Sequence, residues 1–429
     1  MSKQPISRRD FVASSSAAAA AGVLAAGLPA ARSRATDEIR IGLVGCGGRG
    51  TGAAAQSIKS SEGVRLVALG DVFRHKVDGA LKGLSDPESG VADKVDVAED
   101  ARYSGLDAYK SVIHHPDVDL VLNATPPAFR PVHLAEAVAA GKHSFIEKPA
   151  CVDPAGYRSI LRSAEIAREK NLAIVTGTQF RRANNYAEAV QAIHEGAIGD
   201  VLFAQARYCS GGIWYRDRAP EMTDVEYQLN NWYHFVWLGG DQIVEQAVHN
   251  IDAINWAMGG PPSLAFGNGG QRNRPADSEI YDCMSIDYEY PNGATLSFMC
   301  RQQAGKTEVS NRIIGSKGEA RIKPFGVSTI TTHGGEKLLR TRYKPNSYVQ
   351  EHTDLIASIR SGAPIVEAEE MAASSLTAVM GRLAAYTGSQ VTWDFVTKES
   401  KLDLMPPDLT MDTQLASAGV ARPGETKLV

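Results

Sequence analysis

A glycine-rich turn close to the start of the chain constrains the fold more than any other feature of the sequence. Residues 39–44 are predicted to form a short buried strand, Gly-Cys-Gly-Gly-Arg-Gly occupies 45–50, and a helical stretch follows directly. Gly45 permits the turn, Gly47 lets the backbone approach a pyrophosphate, and Gly50 lets helix and strand pack closely. The free N–H groups of the helix N-terminus then face the phosphates. This pattern predicts a dinucleotide-binding unit. The loop residues predicted to contact the nucleotide are Gly45, Cys46, Gly47, Gly48, Arg49 and Gly50.

The end of the second strand bears on which nucleotide is bound. A strand is predicted at 64–69, and Asp71 follows about 20 residues past Gly50, which is the spacing of a ribose-binding acid. A carboxylate there accepts hydrogen bonds from a ribose diol and repels a 2′-phosphate, which favours NAD over NADP. Arg74 lies nearby and could receive a phosphate, so both NAD and NADP stay open. The competing interpretation is a glycine-rich turn beside a surface aspartate.

Two later strand ends are expected to complete the nucleotide site. Strands are predicted at 118–123 and 143–146, followed by Ala-Thr-Pro-Pro and Glu-Lys-Pro, and a helix is predicted at 131–140. Ligands of open α/β sheets bind at the carboxyl ends of the strands. The further residues assigned to the cofactor are Thr125, Pro126, His133, Glu147 and Lys148.

The length of 429 residues predicts two domains, because domains usually contain about 100–200 residues. We place an NAD(P)-binding domain at 36–150, a substrate-binding and oligomerisation domain at 151–395, and an extended tail at 396–429. Alternating polar and apolar residues predict strands of the second domain at 281–290, 294–301, 311–314 and 320–322.

Residues 1–35 have the character of an export signal. Ser7-Arg8-Arg9-Asp10-Phe11 precedes an uncharged, Ala-rich run at 13–31, and small residues precede a break near Ala31 or Ala35. The paired arginines resemble a twin-arginine signal. An uncleaved anchor or a disordered tail is the alternative. The twin-arginine route carries folded proteins, so we expect a periplasmic or otherwise exported protein that is soluble after signal cleavage and loads its cofactor before export.

Charge and cysteine content exclude several other classes of protein. The formal net charge of −4 does not provide the basic surface that binding to a nucleic acid requires. The five cysteines form neither a CxxC pair nor a Cys/His cluster with zinc spacing, so buried thiols are expected.

A helix predicted at 242–258 carries three polar residues on one stripe. Glu245, His249 and Asp252 are spaced i, i+4 and i+7, apart from the apolar face, so they could line a cleft while the helix stays anchored. His249 is the natural general acid or base because its unperturbed pKa is near neutrality. The alternative is a capped or core histidine. One histidine with two acids could hold a divalent ion, but we expect no metal.

The stretch before this helix is rich in large aromatic and polar groups. Aromatic faces combined with amide and guanidinium donors suit carbohydrate rings, although a loop packed by its own aromatics is as good an interpretation. Arg181 follows a strand at 173–176 and could reach the cleft or form a salt bridge instead. The residues predicted to bind substrate are Lys148, Gln179, Arg181, Trp232, His249 and Asp252.

Five segments together resemble the Gfo/Idh/MocA family of sugar and inositol oxidoreductases. They are GCGGRG at 45–50, ATPP at 124–127, AGKHSFIEKP at 140–149, GGDQIVEQAVHNID at 239–252 and HTDLIASIRSGAPI at 352–365. The resemblance spans residue 39 to about 390. It implies an α/β chain: a Rossmann domain, then an α+β domain with a large, mostly antiparallel open sheet that often packs on a partner subunit. We therefore expect a homodimer or homotetramer.

The resemblance also implies the chemistry of the site. Lys148 of Glu-Lys-Pro is expected to reach the active site, with Pro149 often cis in such enzymes, and His249 matches the family's histidine. Glu245 stands where the family has Asp, which leaves the orientation of its carboxylate open. The expected catalytic residues are thus Lys148, His249 and Glu245.

The implied activity is NAD(P)-dependent hydride transfer on a hydroxyl of a sugar, glycoside or polyol. Because free nucleotide should be scarce outside the cytoplasm, we expect a tightly bound cofactor that a second substrate recycles. An NAD-dependent glycosidase or lyase that oxidises its substrate transiently uses the same residues, and a non-catalytic binding protein is the third hypothesis.

Overall fold

The computed structural model describes residues 38–429, and the first sheet of this region has six parallel strands in the order β3-β2-β1-β4-β5-β6. This is the strand order of dinucleotide-binding Rossmann domains, as predicted. The strands are β1 (Ile39–Val44), β2 (Val64–Asp71), β3 (Arg102–Ser104), β4 (Leu120–Asn123), β5 (His143–Ile146) and β6 (Ile174–Thr176).

Helices cover both faces of this sheet, which is why its central strands are almost continuously apolar. They are α1 (Gly48–Ser60), α2 (Arg74–Ser85), α3 (Ala108–Ile113), α4 (Arg130–Ala139) and α5 (Pro154–Glu169), with short 3₁₀ turns at Pro87–Ser89, Ala92–Lys94, Glu99–Ala101, Pro127–Phe129 and Gln179–Arg182. Because β6 pairs with β5, this sheet extends beyond residue 150, where the sequence predicts the end of the first domain.

The second sheet of the described region has nine strands, in the order β14-β13-β12-β11-β7-β10-β9-β8-β15. All neighbours are antiparallel except β7 and β10, so the predicted large and mostly antiparallel sheet is confirmed. Its strands are β7 (Val201–Ser210), β8 (Leu264–Gly270), β9 (Cys283–Glu289), β10 (Thr295–Gln302), β11 (Glu308–Gly315), β12 (Gly318–Ile322), β13 (Val327–Thr332), β14 (Lys337–Arg342) and β15 (Val391–Thr392).

Helices bury the inner face of this sheet and leave its other face exposed. Buried residues alternate with exposed ones along β9, which is the period-2 pattern of a half-buried strand. The helices are α6 (Asn184–His194), α7 (Asp224–Asn230), α8 (Val236–Gly239), α9 (Gln242–Glu245), α10 (Val248–Met258), α11 (Ser347–Arg360) and α12 (Ala368–Thr387), with a 3₁₀ turn at Trp232–His234.

Helix α11 and the tail connect the two sheets. Leu355 and Ile356 of α11 belong to the core of the Rossmann sheet, although they lie late in the chain. After a π-helical turn at Phe395–Glu399, residues 400–429 contain no helix or strand and run over the surface. The tail is held by backbone N–H groups: that of Leu404 donates to Asp153 (2.8 Å), and that of Leu415 donates to Asp224 (3.0 Å).

The predicted export signal at 1–35 lies outside the described residues. Among residues 38–429, no helix is both long enough and apolar enough to cross a membrane.

Candidate functional site

A cleft of about 680 Å³ lies at the carboxyl ends of β1, β2 and β4. The glycine-rich loop forms one side, and residues of the second domain close the opposite side. The predicted site residues that line this cleft are Gly45, Cys46, Gly47, Gly48, Arg49, Gly50, Asp71, Thr125, Pro126, His133 and Trp232. Lys148, which follows β5, and His249, on α10, are outside its lining and lie near each other.

The glycines of the loop lie in three different environments. Gly45 has a φ of +93°, and a Cβ there would lie 2.8 Å from the backbone of Ala124. A Cβ on Gly50 would lie 1.8 Å from the carbonyl oxygen of Gly45, so no side chain fits. A Cβ on Gly47 would meet nothing within 4 Å, because its Cα faces open space. The backbone is therefore accessible where a pyrophosphate would approach it.

Asp71 ends β2 inside the cleft and organises two loops. One carboxylate oxygen accepts the N–H of Cys46 (2.8 Å), and the other accepts the N–H of Phe73 (3.0 Å). Arg74, which we expected beside the ribose, does not line the cleft, because its side chain pairs with Asp78 one turn along α2 (2.9 Å). Lys76 is the cation of this helix that lines the cleft, and the sequence alone does not distinguish it from Arg74.

The loop after β4 presents a neutral polar surface. The Thr125 hydroxyl donates to the Asn123 side chain (2.7 Å). The His133 ring stacks on Tyr109 with ring centroids 4.1 Å apart. Burial, aided by the charge of Arg130, lowers the pKa of His133 to about 3, so the imidazole is neutral at physiological pH.

Lys148 lies at the end of β5 and points toward the second domain. The Lys148–Pro149 peptide is cis. The ammonium nitrogen Nζ donates to the Glu245 carboxylate (3.0 Å) and to the Glu245 backbone carbonyl, and both side chains are about nine-tenths buried. The Glu147 side chain instead pairs with Arg49 (2.5 Å). It therefore joins the glycine-rich loop to the strand that carries Lys148.

The helix predicted at 242–258 is broken, so Glu245 and His249 lie on different helices, α9 and α10. The hydrophobic period continues across the break, which is why the sequence does not show it. His249 packs against Phe180 with ring centroids 5.0 Å apart, and within residues 38–429 its ring makes no hydrogen bond. Burial, together with the charge of Lys148, lowers the pKa of His249 well below its ordinary value, so the ring is a neutral base at neutral pH.

Two residues predicted to bind substrate are instead paired with each other. Arg181 donates to both carboxylate oxygens of Asp252 (2.8–3.2 Å), and Ser374 donates to the same carboxylate (2.8 Å). Asp252 is buried, so the pair anchors α10 to the Gln179–Arg182 turn, which is the salt-bridge alternative. Gln179 is also buried and donates to the Tyr348 hydroxyl (3.1 Å).

Asp241 belongs to the site, although the sequence alone does not single it out. It immediately precedes α9 and is fully buried, with φ +77° and ψ 163°, a conformation that is essentially restricted to glycine. Its carboxylate accepts the N–H of Tyr281 (2.8 Å), the N–H of Gln242 and the hydroxyl of Tyr386. Burial raises the pKa of Asp241 to about 6. A buried acid held in a strained conformation fixes the start of the helix that positions Glu245. The one sequence signal was an acid directly after Gly239-Gly240.

We expect Asp241→Gly to lower kcat by roughly ten- to hundredfold, because misplacing Glu245 misplaces Lys148. The melting temperature should change little, since relief of about 1–3 kcal/mol of backbone strain offsets the lost hydrogen bonds. Steady-state kinetics and thermal melts of this variant and of Tyr386→Phe, which removes a single hydrogen bond, measure both effects. Wild-type kcat in a folded Asp241→Gly protein would show that Asp241 has no part in positioning the site.

No group of His, Cys, Asp and Glu side chains in residues 38–429 is arranged to hold a metal ion. The cysteines of this region carry free thiols; Cys46, Cys151, Cys209 and Cys300 are buried and Cys283 is half-buried.

Comparison with known proteins identifies the class of protein that this fold and site define. Residues 39–177 match the oxidoreductase family with an NAD-binding Rossmann fold (GFO_IDH_MocA), and residues 186–321 match the GFO/IDH/MocA C-terminal domain. The chain therefore carries both domains of the Gfo/Idh/MocA oxidoreductases, a family of NAD-binding sugar and polyol oxidoreductases.

Individual relatives share about a quarter to a third of their residues with this chain over the aligned region. The chain is 28% identical over 253 residues to glycosyl hydrolase family 109 protein 2 of Shewanella sp. (strain ANA-3), covering 54% of this chain and 52% of that protein. It is 33% identical over 220 residues to inositol 2-dehydrogenase of Agrobacterium fabrum, covering 51% of this chain and 54% of that protein. The chain thus spans about half the length of these curated relatives. The fold is similar to levoglucosan dehydrogenase in complex with NADH and levoglucosan, with a TM-score of 0.65 and 17% identity over 83% of this chain and 99% of the other.

Proposed function

We propose that this protein is an exported oxidoreductase that exchanges hydride between a retained NAD(P) and a hydroxyl of a sugar, glycoside or polyol. The observation that carries the proposal is the pairing of two features at neighbouring strand ends. One is the open glycine-rich cleft, and the other is the buried group formed by Lys148, Glu245 and His249.

The residues of the cleft fit a dinucleotide. The open space at Gly47 and Gly48 admits a pyrophosphate to the N-terminus of α1, where backbone N–H groups are free to donate. Asp71 lies where a ribose is bound in this fold. When bound, the nicotinamide supplies the hydride acceptor, and the protein supplies orientation and proton handling.

His249 is the proposed base for the substrate hydroxyl. Its lowered pKa keeps the imidazole neutral and able to accept a proton, and its ring has no competing hydrogen bond among the described residues. Lys148 is proposed to hold the hydroxyl oxygen, while Glu245 fixes the ammonium by two contacts. As the hydroxyl loses its proton, the positive charge of Lys148 stabilises the negative charge that develops on oxygen. The proton would thus pass to His249 and the hydride to the nicotinamide.

Export and retention of the nucleotide are proposed together. The twin-arginine segment at 1–35 supports export of the folded protein, and a nucleotide enclosed before export need not be replaced outside the cytoplasm. A second substrate would then return the hydride.

We also propose that the protein is a homodimer or homotetramer joined through the exposed face of the nine-stranded sheet. Phe266 and Met299 place large apolar side chains on that face, 55% and 44% exposed.

The proposed function is tested by offering the purified protein a panel of inositols, aldoses and anhydrosugars. We expect a product lighter than its substrate by one hydrogen molecule, with a matching rise in absorbance of reduced nucleotide. His249→Ala serves as the negative control. Products formed by bond cleavage alone, with no net oxidation, would contradict the dehydrogenase proposal.

A glycosidase that oxidises its substrate transiently is the second candidate, because several relatives are named glycosyl hydrolase family 109 proteins. It would use the same base and lysine, but the hydride would return to the same sugar. A glycoside labelled with deuterium at the oxidised carbon separates the two candidates. The glycosidase returns the deuterium to the same sugar, whereas the dehydrogenase leaves it on the nucleotide. Cleavage with no accumulated reduced nucleotide favours the glycosidase.

A further inference from the structure

The outer wall of the nucleotide cleft is a loop of the second domain that lies between β7 and α7. Trp214 and Arg216 of this loop line the cleft together with the glycine-rich turn and α2. Trp214 is 41% exposed and packs its ring near Trp232.

Buried side chains hold this loop in place, although it has no regular secondary structure. His234 bonds through Nε2 to the Trp214 carbonyl (2.8 Å) and through Nδ1 to Ser278 (2.9 Å). Asn231 accepts the N–H of Arg216 and donates to its carbonyl, both at 2.9 Å. His234 and Asn231 are at most 1% exposed. The wall is therefore preorganised rather than formed around the ligand.

Two cations line this part of the cleft. Lys76 reaches it from α2 and Arg216 from the loop. The Lys76 ammonium lies 4.7 Å from the centre of the Phe73 ring and donates no hydrogen bond to any residue in 38–429. Burial lowers the pKa of Lys76; of the neighbouring charges, Asp71 raises this pKa and Arg216 lowers it, so Arg216 lies near enough to repel the ammonium. The nearby anion is Asp71, whose carboxylate accepts the N–H groups of Cys46 and Phe73 and, within residues 38–429, forms no salt bridge with Lys76.

We propose that Lys76 and Arg216 together form a phosphate subsite that binds the nucleotide across the two domains. The subsite rests on the proposed function and deepens it. A phosphate between the cations would satisfy the free ammonium and relieve the repulsion. It would also tie the nucleotide to a fixed wall of the second domain, which accounts for retention. The phosphate is either the pyrophosphate that all nicotinamide dinucleotides share or the 2′-phosphate of NADP.

Nucleotide affinity of the full mature chain tests the subsite. Dissociation constants for NADH and NADPH are measured by calorimetry on nucleotide-stripped wild type, Lys76→Ala and Arg216→Ala. Each variant should bind more weakly by about ten- to a hundredfold, the cost of a lost charge-assisted contact. The matched controls are Lys82→Ala, on the same helix, and Arg218→Ala, in the same loop, since neither residue lines the cleft. Both controls should bind as the wild type does.

The pattern of loss identifies the phosphate. Equal weakening of NADH and NADPH assigns the subsite to the pyrophosphate, whereas weakening of NADPH alone assigns it to the 2′-phosphate. Unchanged affinity for both nucleotides in folded Lys76→Ala and Arg216→Ala would overturn the subsite while leaving the proposed function intact. A wild type that binds neither nucleotide would overturn the proposed function itself.

Discussion

Replacing Lys148 by Met is expected to lower kcat/KM for sugar or polyol oxidation by about 10²–10⁴-fold, which is the range for loss of a positioned acid–base group. Lys148 is the cation that pairs with Glu245 and lies near His249, so its loss removes the positive charge that we propose stabilises the developing alkoxide. Steady-state kinetics with the best substrate of the panel measure the effect.

A second variant separates catalysis from folding. Lys148→Met leaves the Glu245 carboxylate buried without its partner, which costs about 3–5 kcal/mol of stability. Lys148→Met combined with Glu245→Gln removes both charges, so thermal stability should return toward the wild-type value while activity stays low. Activity within a few-fold of wild type in the folded double variant would mean that neither side chain takes part in the chemistry.

The pH profile of the same double variant gives an independent readout. The charge of Lys148 contributes to the lowered pKa of His249, after burial, so the neutral imidazole persists to lower pH in the wild type. Without that charge the pKa of His249 rises, and the acidic limb of the residual rate should move to higher pH. An acidic limb at the same pH as the wild type would indicate that His249 is not the titrating base.

Replacing Gly50 by Ala is expected to abolish nucleotide binding and to destabilise the domain by about 3 kcal/mol or more. The new Cβ would lie 1.8 Å from the Gly45 carbonyl oxygen, so α1 must move away from β1 and the loop cannot keep its shape. Nucleotide titration and thermal denaturation measure both effects.

Gly52→Ala is the matched control, two residues further along the same helix. A Cβ there would meet only Arg49, at an ordinary contact distance of 3.7 Å. Alanine in a helix interior is more stable than glycine by roughly 0.5–1 kcal/mol, so this variant should bind nucleotide and melt slightly higher. If Gly50→Ala binds nucleotide as well as Gly52→Ala does, the close contact of α1 with β1 does not shape the binding loop.

The nucleotide-binding half of the site could be predicted because its requirements are local. Gly45 and Gly50 are fixed by one strand, one turn and one helix that are contiguous in sequence, so a short motif contains all of the information. Strands of the second sheet such as β9 and β10 were predictable for a similar reason, because each shows its own alternation of buried and exposed residues, whereas the large, mostly antiparallel sheet was implied by the family resemblance.

The substrate side could not be predicted to the same depth, because its geometry depends on partners far away in the chain. Arg181 pairs with Asp252 only when the Gln179–Arg182 turn meets α10, and either side chain alone is equally suited to a ligand. The break between α9 and α10 is invisible to hydrophobic periodicity because buried residues continue through it. Lys76 was missed in favour of Arg74 because the face of α2 that meets the cleft is set by packing on β2.

The nucleotide released by the purified, exported protein is the most direct test of the central claim. The protein is denatured after extensive dialysis, and the supernatant is measured by absorbance and mass spectrometry. We expect a stoichiometric amount of NAD(H) or NADP(H), carried through export and purification. A protein that releases no nucleotide, and that binds neither NADH nor NADPH after refolding, would contradict it.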